Sequence, residues 1–345
     1  MKTILGCCAA LALLAPATAA HAARDHVWAA GSSTVFPFAT RVAEQFARKT
    51  GKKAPKIESL GTGGGIKLFC GGAGDNFPDI ANASRPMRKS EWDQCAAKGV
   101  KDIVQIKVGF DGIVVATDKD SPDYNFRIEH LYQGLSQTVL KGGRFVPNPH
   151  QTWDEVGQGL PGTRILVYGP PPTSGTRDAF LELGIEAGAR RFPTADELRS
   201  NNEARFKQVV HPLRKNGWVD AGENDNAIVQ TLTKTPGSLG VFGYSFLEEN
   251  PDKVKAATIN GVRPTPGTIS DGSYPLSRSL YIYVKKSRLA TTQGLREYVA
   301  EFVSDAASGR GGYLQQRGLI PLPAGQHNAM KQAAQAMPVM ARPTS

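Results

Sequence analysis

Short apolar runs rich in β-branched residues alternate with longer amphipathic segments along most of the chain. The runs at residues 25–30, 56–60 and 112–117 are typical of short or buried strands. Between the first two, apolar residues at helical spacing predict a helix that begins near residue 35 and ends at Gly51. Further strands are predicted at residues 78–85, 103–106, 164–168, 238–244 and 280–285, and further helices at 128–135, 153–156, 226–234 and 292–304. This alternation predicts an α/β fold with parallel sheets, followed beyond residue 324 by a loosely ordered end.

Hydroxyl and glycine residues stand where three of the predicted helices begin. The three segments are Ser32-Ser33-Thr34, Thr62-Gly63-Gly64-Gly65 and Ser174-Gly175-Thr176. The second belongs to a predicted turn over residues 61–65, and a helix is predicted to begin after it at Ile66. The first N–H groups of a helix have no partner in the helix and carry partial positive charge, so they can bind an anion. Helix capping alone explains any one of these segments. Three such segments, each after a strand, favour a shared anion site at the carboxyl ends of the strands.

Catalytic signals are weak beside this binding signal. The chain has no GxSxG or HExxH motif, and the glycines before Lys67 lack the spacing of a P-loop. Asp178 could act as a general base, but near a helix start it more simply favours the helix dipole. The histidines after the amino-terminal segment are dispersed: His26, His130, His150, His211 and His327. Binding without catalysis, metal or cofactor is therefore expected.

The first residues read as a secretory signal peptide. Met1-Lys2 is basic, residues 4–14 are apolar, and Ala20-His21-Ala22 offers a cleavage site near Ala22. A lipoprotein signal around Cys7 fits less well, because the apolar run follows that cysteine. No later segment approaches the length of a membrane helix. We therefore expect an exported, periplasmic protein without a membrane span.

Two of the four cysteines, Cys70 and Cys95, lie outside the signal peptide. In an oxidising compartment they are expected to form a disulfide, which would stabilise the fold by about 3–4 kcal/mol. Two buried free thiols are the alternative. Zinc binding is not expected, because neither a CxxC motif nor a nearby histidine pair accompanies them.

Length and charge narrow the class of protein further. Removal of the signal peptide leaves too many residues for one typical core, so two lobes are expected. The formal net charge is +10 at pH 7. The basic residues are scattered and are not interleaved with aromatic residues, which argues against nucleic-acid binding. A positive field that attracts small anions is the simpler interpretation.

An ordered series of motifs resembles the phosphate-binding proteins of Pst-type ABC transporters. The motifs are GSSTVFP at 31–37, TGGGIK at 62–67, Ala83-Ser84, GIVV at 112–115, SGTRDAF at 174–180, GVFGY at 240–244 and Tyr274-Pro275-Leu276. The resemblance implies a type II periplasmic-binding-protein fold, with two α/β lobes joined by a hinge and the ligand in the cleft between them. Lobe 1 would comprise residues 23–110 and 255–345, and lobe 2 residues 111–254. The protein would be a monomer that captures inorganic phosphate and delivers it to an ABC permease.

The same resemblance implies a set of ligand-binding residues drawn from both lobes. Matched by position, they are Ser33, Thr34, Val35, Thr62, Gly63, Ser84, Arg85, Ser174, Gly175, Thr176 and Arg177. Backbone N–H groups, hydroxyls and guanidinium groups would replace the water around a buried oxyanion.

Two positions depart from the pattern of the family. Pro170 stands where many members have an arginine, and Arg85 stands where they have an aspartate that accepts the proton of hydrogen phosphate. We expect Arg85 and Arg177 to supply the missing positive charge. The alternatives are that Arg85 turns outward and the ligand is another tetrahedral oxyanion, such as sulfate, arsenate, molybdate or tungstate. A secreted phosphoesterase is a further alternative.

Overall fold

Strands and helices alternate through the chain in the computed structural model, which describes residues 24–172, 174–222 and 225–344. The predicted signal peptide lies outside the described residues. The strands are β1 Trp28–Gly31, β2 Lys56–Ser59, β3 Ile80–Ala83, β4 Ile103–Asp118, β5 Asn125–Phe126, β6 Thr138–Lys141, β7 Arg144–Pro147, β8 Val167–Gly169, β9 Trp218–Asp220, β10 Leu239–Gly243, β11 Val254–Ala256, β12 Thr258–Ile259 and β13 Ser277–Lys285. The helices are α1 Phe36–Thr50, α2 Gly61–Phe69, α3 Lys89–Ala97, α4 Ile128–Leu135, α5 Gly175–Phe180, α6 Ala187–Ala189, α7 Pro193–Asn201, α8 Glu203–Val210, α9 Asp225–Leu232, α10 Tyr244–Glu249, α11 Pro266–Ser270, α12 Leu295–Phe302, α13 Asp305–Ser308 and α14 Ala324–Ala336.

One mixed sheet runs through the molecule in the order β2-β1-β3-β13-β4-β10-β8-β9. The outer pairs are parallel, as the alternating pattern predicts, whereas β13 pairs antiparallel with both β3 and β4. β4 is the longest strand: it pairs with β13 along its first part and with β10 and β11 along its second. The prediction of two separate strands at 103–106 and 112–117 is therefore wrong. Both belong to β4, which is buried without interruption from Val108 to Asp118.

Buried apolar residues form separate cores at the two ends of this sheet. One core packs α1 and α12 on the sheet and includes Val42 and Tyr298, and a smaller one beside it includes Phe69. We call this part of the molecule lobe 1. The other core includes Trp153 and Phe180, and we call the part around it lobe 2. The residue boundaries predicted for the lobes stay a prediction.

The predicted disulfide is confirmed. Cys70 and Cys95 are bonded to each other. Cys70 directly follows α2 and Cys95 lies in α3, so the bond joins the end of one lobe 1 helix to its neighbour. Both residues are buried in the smaller apolar core. An uncharged disulfide is compatible with such surroundings.

Three local predictions are corrected. Residues 61–65 form the first turns of α2 rather than a turn before it, and residues 153–156 form turns rather than a helix. The end of the chain is more ordered than its composition indicates, because α14 packs its Ala334 into the lobe 1 core. Beyond that helix, Arg342 forms a bidentate ion pair with Asp93 at 2.8 Å. Within the described part of the chain, no helix combines the length and apolar character needed to cross a membrane.

Candidate anion site between the lobes

Arg278 lies near the start of β13, at the place where the two lobes meet. Its direct cross-strand neighbour on β4 is Asp111, and Arg278 Nε lies 3.5 Å from Asp111 Oδ2. The side chain of Arg278 is only 7% exposed. A charge this deeply buried needs partners that hydrogen-bond its donors. The strand register therefore sets a buried arginine at the centre of the sheet with a carboxylate beside it.

Hydroxyl groups from two loops of lobe 1 complete the surroundings of Arg278. Its guanidinium donates to Thr34 Oγ1, in the turn before α1, and to Ser84 Oγ, just after β3, at 3.1 Å. The Ser84 N–H donates to Thr62 Oγ1 at 3.1 Å, and the two hydroxyls lie 3.0 Å apart. Thr62 lies in the first turn of α2. The structure thus brings together three predicted hydroxyls that are spread over 50 positions of the chain.

The lobe 2 segment Ser174-Gly175-Thr176 faces the same place. Ser174 caps α5 by accepting a hydrogen bond from the Thr176 N–H at 3.2 Å, as predicted from its hydroxyl. Thr34 Oγ1 lies 3.4 Å from Gly175 O. A Cβ on Gly175 would come within 2.6 Å of Ser33 O, so only glycine allows this approach of the two lobes.

Two more predicted residues lie at the edges of this arrangement. The Val35 N–H, which the resemblance assigns to the ligand, donates to Ser32 Oγ at 3.4 Å, and its side chain is buried in the lobe 1 core. Gly63 is exposed on α2 and lines the groove that leads to Arg278. Both lie on the same side of the cleft as Thr34 and Thr62.

Arg85 and Arg177 do not contact these hydroxyls. Arg85 forms a two-bond ion pair with Glu91 at 2.7 and 2.9 Å. Arg177 donates to Pro170 O and to Asp220 Oδ1, and it stacks over the ring of Trp218. Because both guanidinium groups are used elsewhere, these contacts do not support the expectation that they supply the charge of the site. Arg278 is the cation that contacts Thr34 and Ser84.

The electrostatics of the site differ from a simple positive pocket. Arg278 faces two carboxylates, Asp111 and Glu182, the second at 2.8 Å from its Nη1. Burial raises the pKa of Asp111, and the neighbouring Arg278 opposes that shift. We call Arg278 and its four contacts, Thr34, Ser84, Asp111 and Glu182, the Arg278 cluster. Among the described residues, no group of three or more histidine, cysteine, aspartate or glutamate side chains is arranged to hold a metal ion.

A groove of about 840 Å³ opens onto the Arg278 cluster from the solvent. Both lobes line it, with Thr62, Gly63 and Ser84 on one side and Glu182 on the other. Its wall also carries several charged side chains, among them Arg85, Glu91, Arg88, Lys107, Glu186, Arg190, Arg199, Glu203 and Lys207. The groove offers a small charged solute a route to Arg278.

Sequence reasoning missed Arg278, Asp111 and Glu182. The predicted strand began at residue 280, so Arg278 fell just outside it, and Asp111 fell in the gap between two predicted strands. Arg278 follows the motif Tyr274-Pro275-Leu276 with Ser277 between them. A charged residue just before a predicted strand was the available signal.

The fold and the cleft define a two-lobed binding protein with its site at the junction of the lobes. The chain belongs to the PBP superfamily, because the family model described as the PBP superfamily domain matches residues 16–306. Protein SphX of Synechococcus elongatus is 32% identical over 92% of this chain and 84% of its own length. The phosphate-binding protein PstS of Staphylococcus haemolyticus is 30% identical over 80% of this chain and 75% of its own. The resemblance carried by the motifs is confirmed.

Solved structures confirm the predicted fold class. The crystal structure of a possible phosphate binding protein from Planctomyces limnophilus superposes with a TM-score of 0.69 at 29% identity, and the match covers 91% of this chain and 99% of that one. An ABC-type phosphate transport receptor from Vibrio cholerae superposes with a TM-score of 0.58 over 86% of this chain and all of its own. At 19% identity, the second match shows the fold alone.

Proposed function

We propose that this chain is an exported solute-binding protein that captures inorganic phosphate and delivers it to an ABC permease. The names of a relative at 30% identity and of a solved structure at 29% identity support phosphate as the ligand. Their coverage of most of the chain, and that of SphX, supports the same architecture. The protein would act by closing its lobes on the anion and not by chemistry. Periplasmic localisation, cleavage of the signal peptide near Ala22 and a monomeric state belong to the same proposal.

The observation that carries the proposal is the convergence of hydroxyls on one buried arginine. Thr34 and Ser84 contact Arg278 from lobe 1, and the glycine-containing start of α5 closes against Thr34 from lobe 2. A buried oxyanion is stable only where charged and neutral donors replace its water. Arg278 would pair with the anion, and the hydroxyls of Thr34, Thr62 and Ser84 would donate to its oxygens. Ser174 and the N–H groups of residues 175–176 would complete the shell from lobe 2.

Asp111 favours phosphate over sulfate. Among the described residues none donates a hydrogen bond of ordinary length to Asp111 Oδ2, and its nearest cation is Arg278 Nε. A protonated oxygen of phosphate can donate to such a buried acceptor, whereas sulfate carries no proton at neutral pH. Asp111 would thus replace the aspartate that the family pattern places at position 85.

Calorimetric titration with phosphate, sulfate, arsenate and molybdate between about pH 5 and 9 tests this assignment. We expect the wild-type protein to prefer phosphate and Arg278→Gln to lose at least about 100-fold in affinity, because a charge-assisted pair in a buried site is lost. Arg85→Gln is the matched comparison, since Arg85 lines the same groove but is paired with Glu91. We expect it to bind within about threefold of wild type. An equal loss of phosphate affinity in both variants would show that Arg85 contributes to the binding site as much as Arg278 does.

Other outcomes would replace phosphate as the ligand or binding as the function. Tight binding of sulfate or molybdate with no binding of phosphate would assign the cleft to that oxyanion. In Asp111→Asn we expect weaker phosphate binding and a smaller preference over sulfate, because a neutral amide oxygen accepts a hydrogen bond from the ligand more weakly than a carboxylate does. Hydrolysis of a chromogenic phosphate ester that disappears in Ser174→Ala would instead favour the phosphoesterase.

A further inference from the structure

Glu182 is the lobe 2 member of the Arg278 cluster. Arg278 Nη1 donates to Glu182 Oε2 at 2.8 Å and, from the same nitrogen, to Ser84 Oγ at 3.1 Å. Glu182 lies in a short π-helical segment, Leu181–Glu186, that continues α5. The Glu182 carboxylate therefore binds Arg278 Nη1, the same nitrogen that contacts the predicted ligand residue Ser84. It also ties the two lobes together.

The Arg278 cluster has no net positive charge to attract an entering anion, because two carboxylates face its one guanidinium. One guanidinium faces two carboxylates, and a phosphate of one or two negative charges would make the cluster strongly negative. Asp111 is buried on β4 and is fixed by the strand. The Glu182 side chain, in contrast, is 50% exposed, and a half-exposed ion pair costs little to break. Of the two carboxylates, Glu182 is the one that can leave.

The groove gives a displaced Glu182 access to solvent. Arg85 and Lys207 line the same groove, and each already has a carboxylate partner, Glu91 and Glu203 respectively. Burial lowers the pKa of Lys207, but its hydrogen bond to Glu203 and the charges of Glu186, Glu203 and Glu182 raise it by more, so Lys207 lies within the field of Glu182. A carboxylate that swings away from Arg278 is hydrated in the groove, and the charge of Lys207 partly offsets those of Glu186 and Glu203 there.

We propose that Glu182 competes with the bound oxyanion for Arg278. This inference rests on the proposed function. The Glu182 carboxylate takes the position on Arg278 Nη1 that an oxygen of phosphate takes on binding, and it swings into the solvent of the groove when phosphate enters. Glu182 thereby weakens phosphate binding and holds the lobes together when no phosphate is present. Its role is to lower the affinity for the anion, and it is not a ligand donor.

Phosphate titration and stopped-flow kinetics of Glu182→Gln in the full mature chain test the competition. We expect binding about fivefold tighter than wild type, mostly through faster association, because a larger fraction of the protein then has Arg278 free of Glu182 while Asp111 stays beside it. Glu203→Gln is the matched control: it removes the same charge from the same groove without a contact to Arg278. We expect its affinity to stay within about twofold of wild type.

Two results would overturn the inference. Weaker binding by Glu182→Gln would show that Glu182 positions Arg278, and an equal gain in Glu203→Gln would show a general effect of charge in the groove. Small-angle X-ray scattering without added phosphate gives a readout that needs no ligand: Glu182→Gln is expected to have a larger radius of gyration than wild type, and an unchanged radius contradicts the tie between the lobes. If wild-type protein binds no phosphate, the proposed function fails, while the scattering comparison still tests Glu182.

Discussion

Ser33 of lobe 1 donates a hydrogen bond to Asp178 of lobe 2, with 2.6 Å between Ser33 Oγ and Asp178 Oδ2. The two residues are 145 positions apart in the chain. Ser33 lies in the turn before α1, and Asp178 lies in α5 two residues after Thr176. The bond therefore closes the cleft directly beside the segments that the resemblance assigns to the ligand.

Loss of this bond is expected to favour the open form of the protein. In Ser33→Ala, Asp178 loses a donor, and a hydrogen bond to a charged group contributes about 1.5–3 kcal/mol. The bond affects phosphate binding only to the extent that it stabilises the closed form over the open form. We therefore expect phosphate affinity to fall about tenfold. Calorimetry measures the change.

Asp178→Asn is the comparison, because its amide oxygen still accepts from Ser33 while a negative charge near the anion disappears. It should bind phosphate at least as tightly as wild type, and a loss equal to that of Ser33→Ala would show that the carboxylate has another role.

Gly175→Ala is expected to prevent full closure of the lobes. Its Cβ would lie 2.6 Å from Ser33 O, and the neighbouring atoms are backbone that cannot turn aside. Overpacking of this kind costs about 1–3 kcal/mol, so phosphate affinity should fall roughly ten- to hundredfold. Gly63→Ala is the matched control, because the nearest atom to its Cβ would be Arg85 Nη2 at 4.0 Å. Near wild-type affinity in Gly175→Ala would mean that ligand binding does not require this approach of the lobes.

The alternation of strands and helices could be predicted from local pattern, because burial and helical spacing leave a signal in a single segment. The length of β4 could not. Gly109 and Gly112 interrupt its apolar run, and the strand continues past them, with a register shift opposite Leu280 and Tyr281, because β13 and β10 pair with it from other parts of the chain. The antiparallel pairing of β13 with β3 and β4 could not be predicted either, because it also depends on strands from distant parts of the chain.

The residues of the candidate site also divide into those that a local pattern could predict and those that it could not. Ser174 could be predicted as a cap, because a hydroxyl before a helix acts on N–H groups two residues away. Arg278 could not be singled out from the other arginines, since its role depends on a cross-strand pairing with Asp111 that is 167 positions distant. Charge was expected from Arg85 and Arg177, which have carboxylate partners that no local pattern revealed.

Removal of the disulfide is expected to lower stability without changing the affinity for phosphate. Cys70 and Cys95 close a loop with a sequence separation of 25, which corresponds to about 3 kcal/mol of unfolding free energy. The bond lies at the end of α2, whereas Thr62 lies at its beginning. Urea denaturation of the Cys70→Ala/Cys95→Ala double variant, followed by phosphate titration, measures both quantities. A large loss of affinity in a folded double variant would show that α2 needs the bond to position Thr62.

The buried amine of Lys285 predicts a pH dependence of stability. Lys285 ends β13 and is fully buried, and its Nζ donates to Gly72 O at 2.6 Å and Pro78 O at 2.8 Å. Burial lowers its pKa to about 7, with Asp79 raising it and Arg288 lowering it further. In the unfolded chain the pKa of a lysine is about 10.4. Between these values the unfolded state binds more protons than the folded state, so the free energy of unfolding rises with pH across that window.

Lys285→Met removes the titrating group and should remove this rise. The full effect in wild type is on the order of 4 kcal/mol between about pH 7 and 10.5, and below pH 7 the contribution of Lys285 is constant because both states are protonated. Urea denaturation at several pH values measures the slope for both proteins. The comparison variant is Lys286→Met, which changes the adjacent lysine at the start of the following 3₁₀ turn and should keep the slope of wild type. If Lys285→Met keeps the full slope, the amine titrates near its ordinary pKa and another group causes the pH dependence.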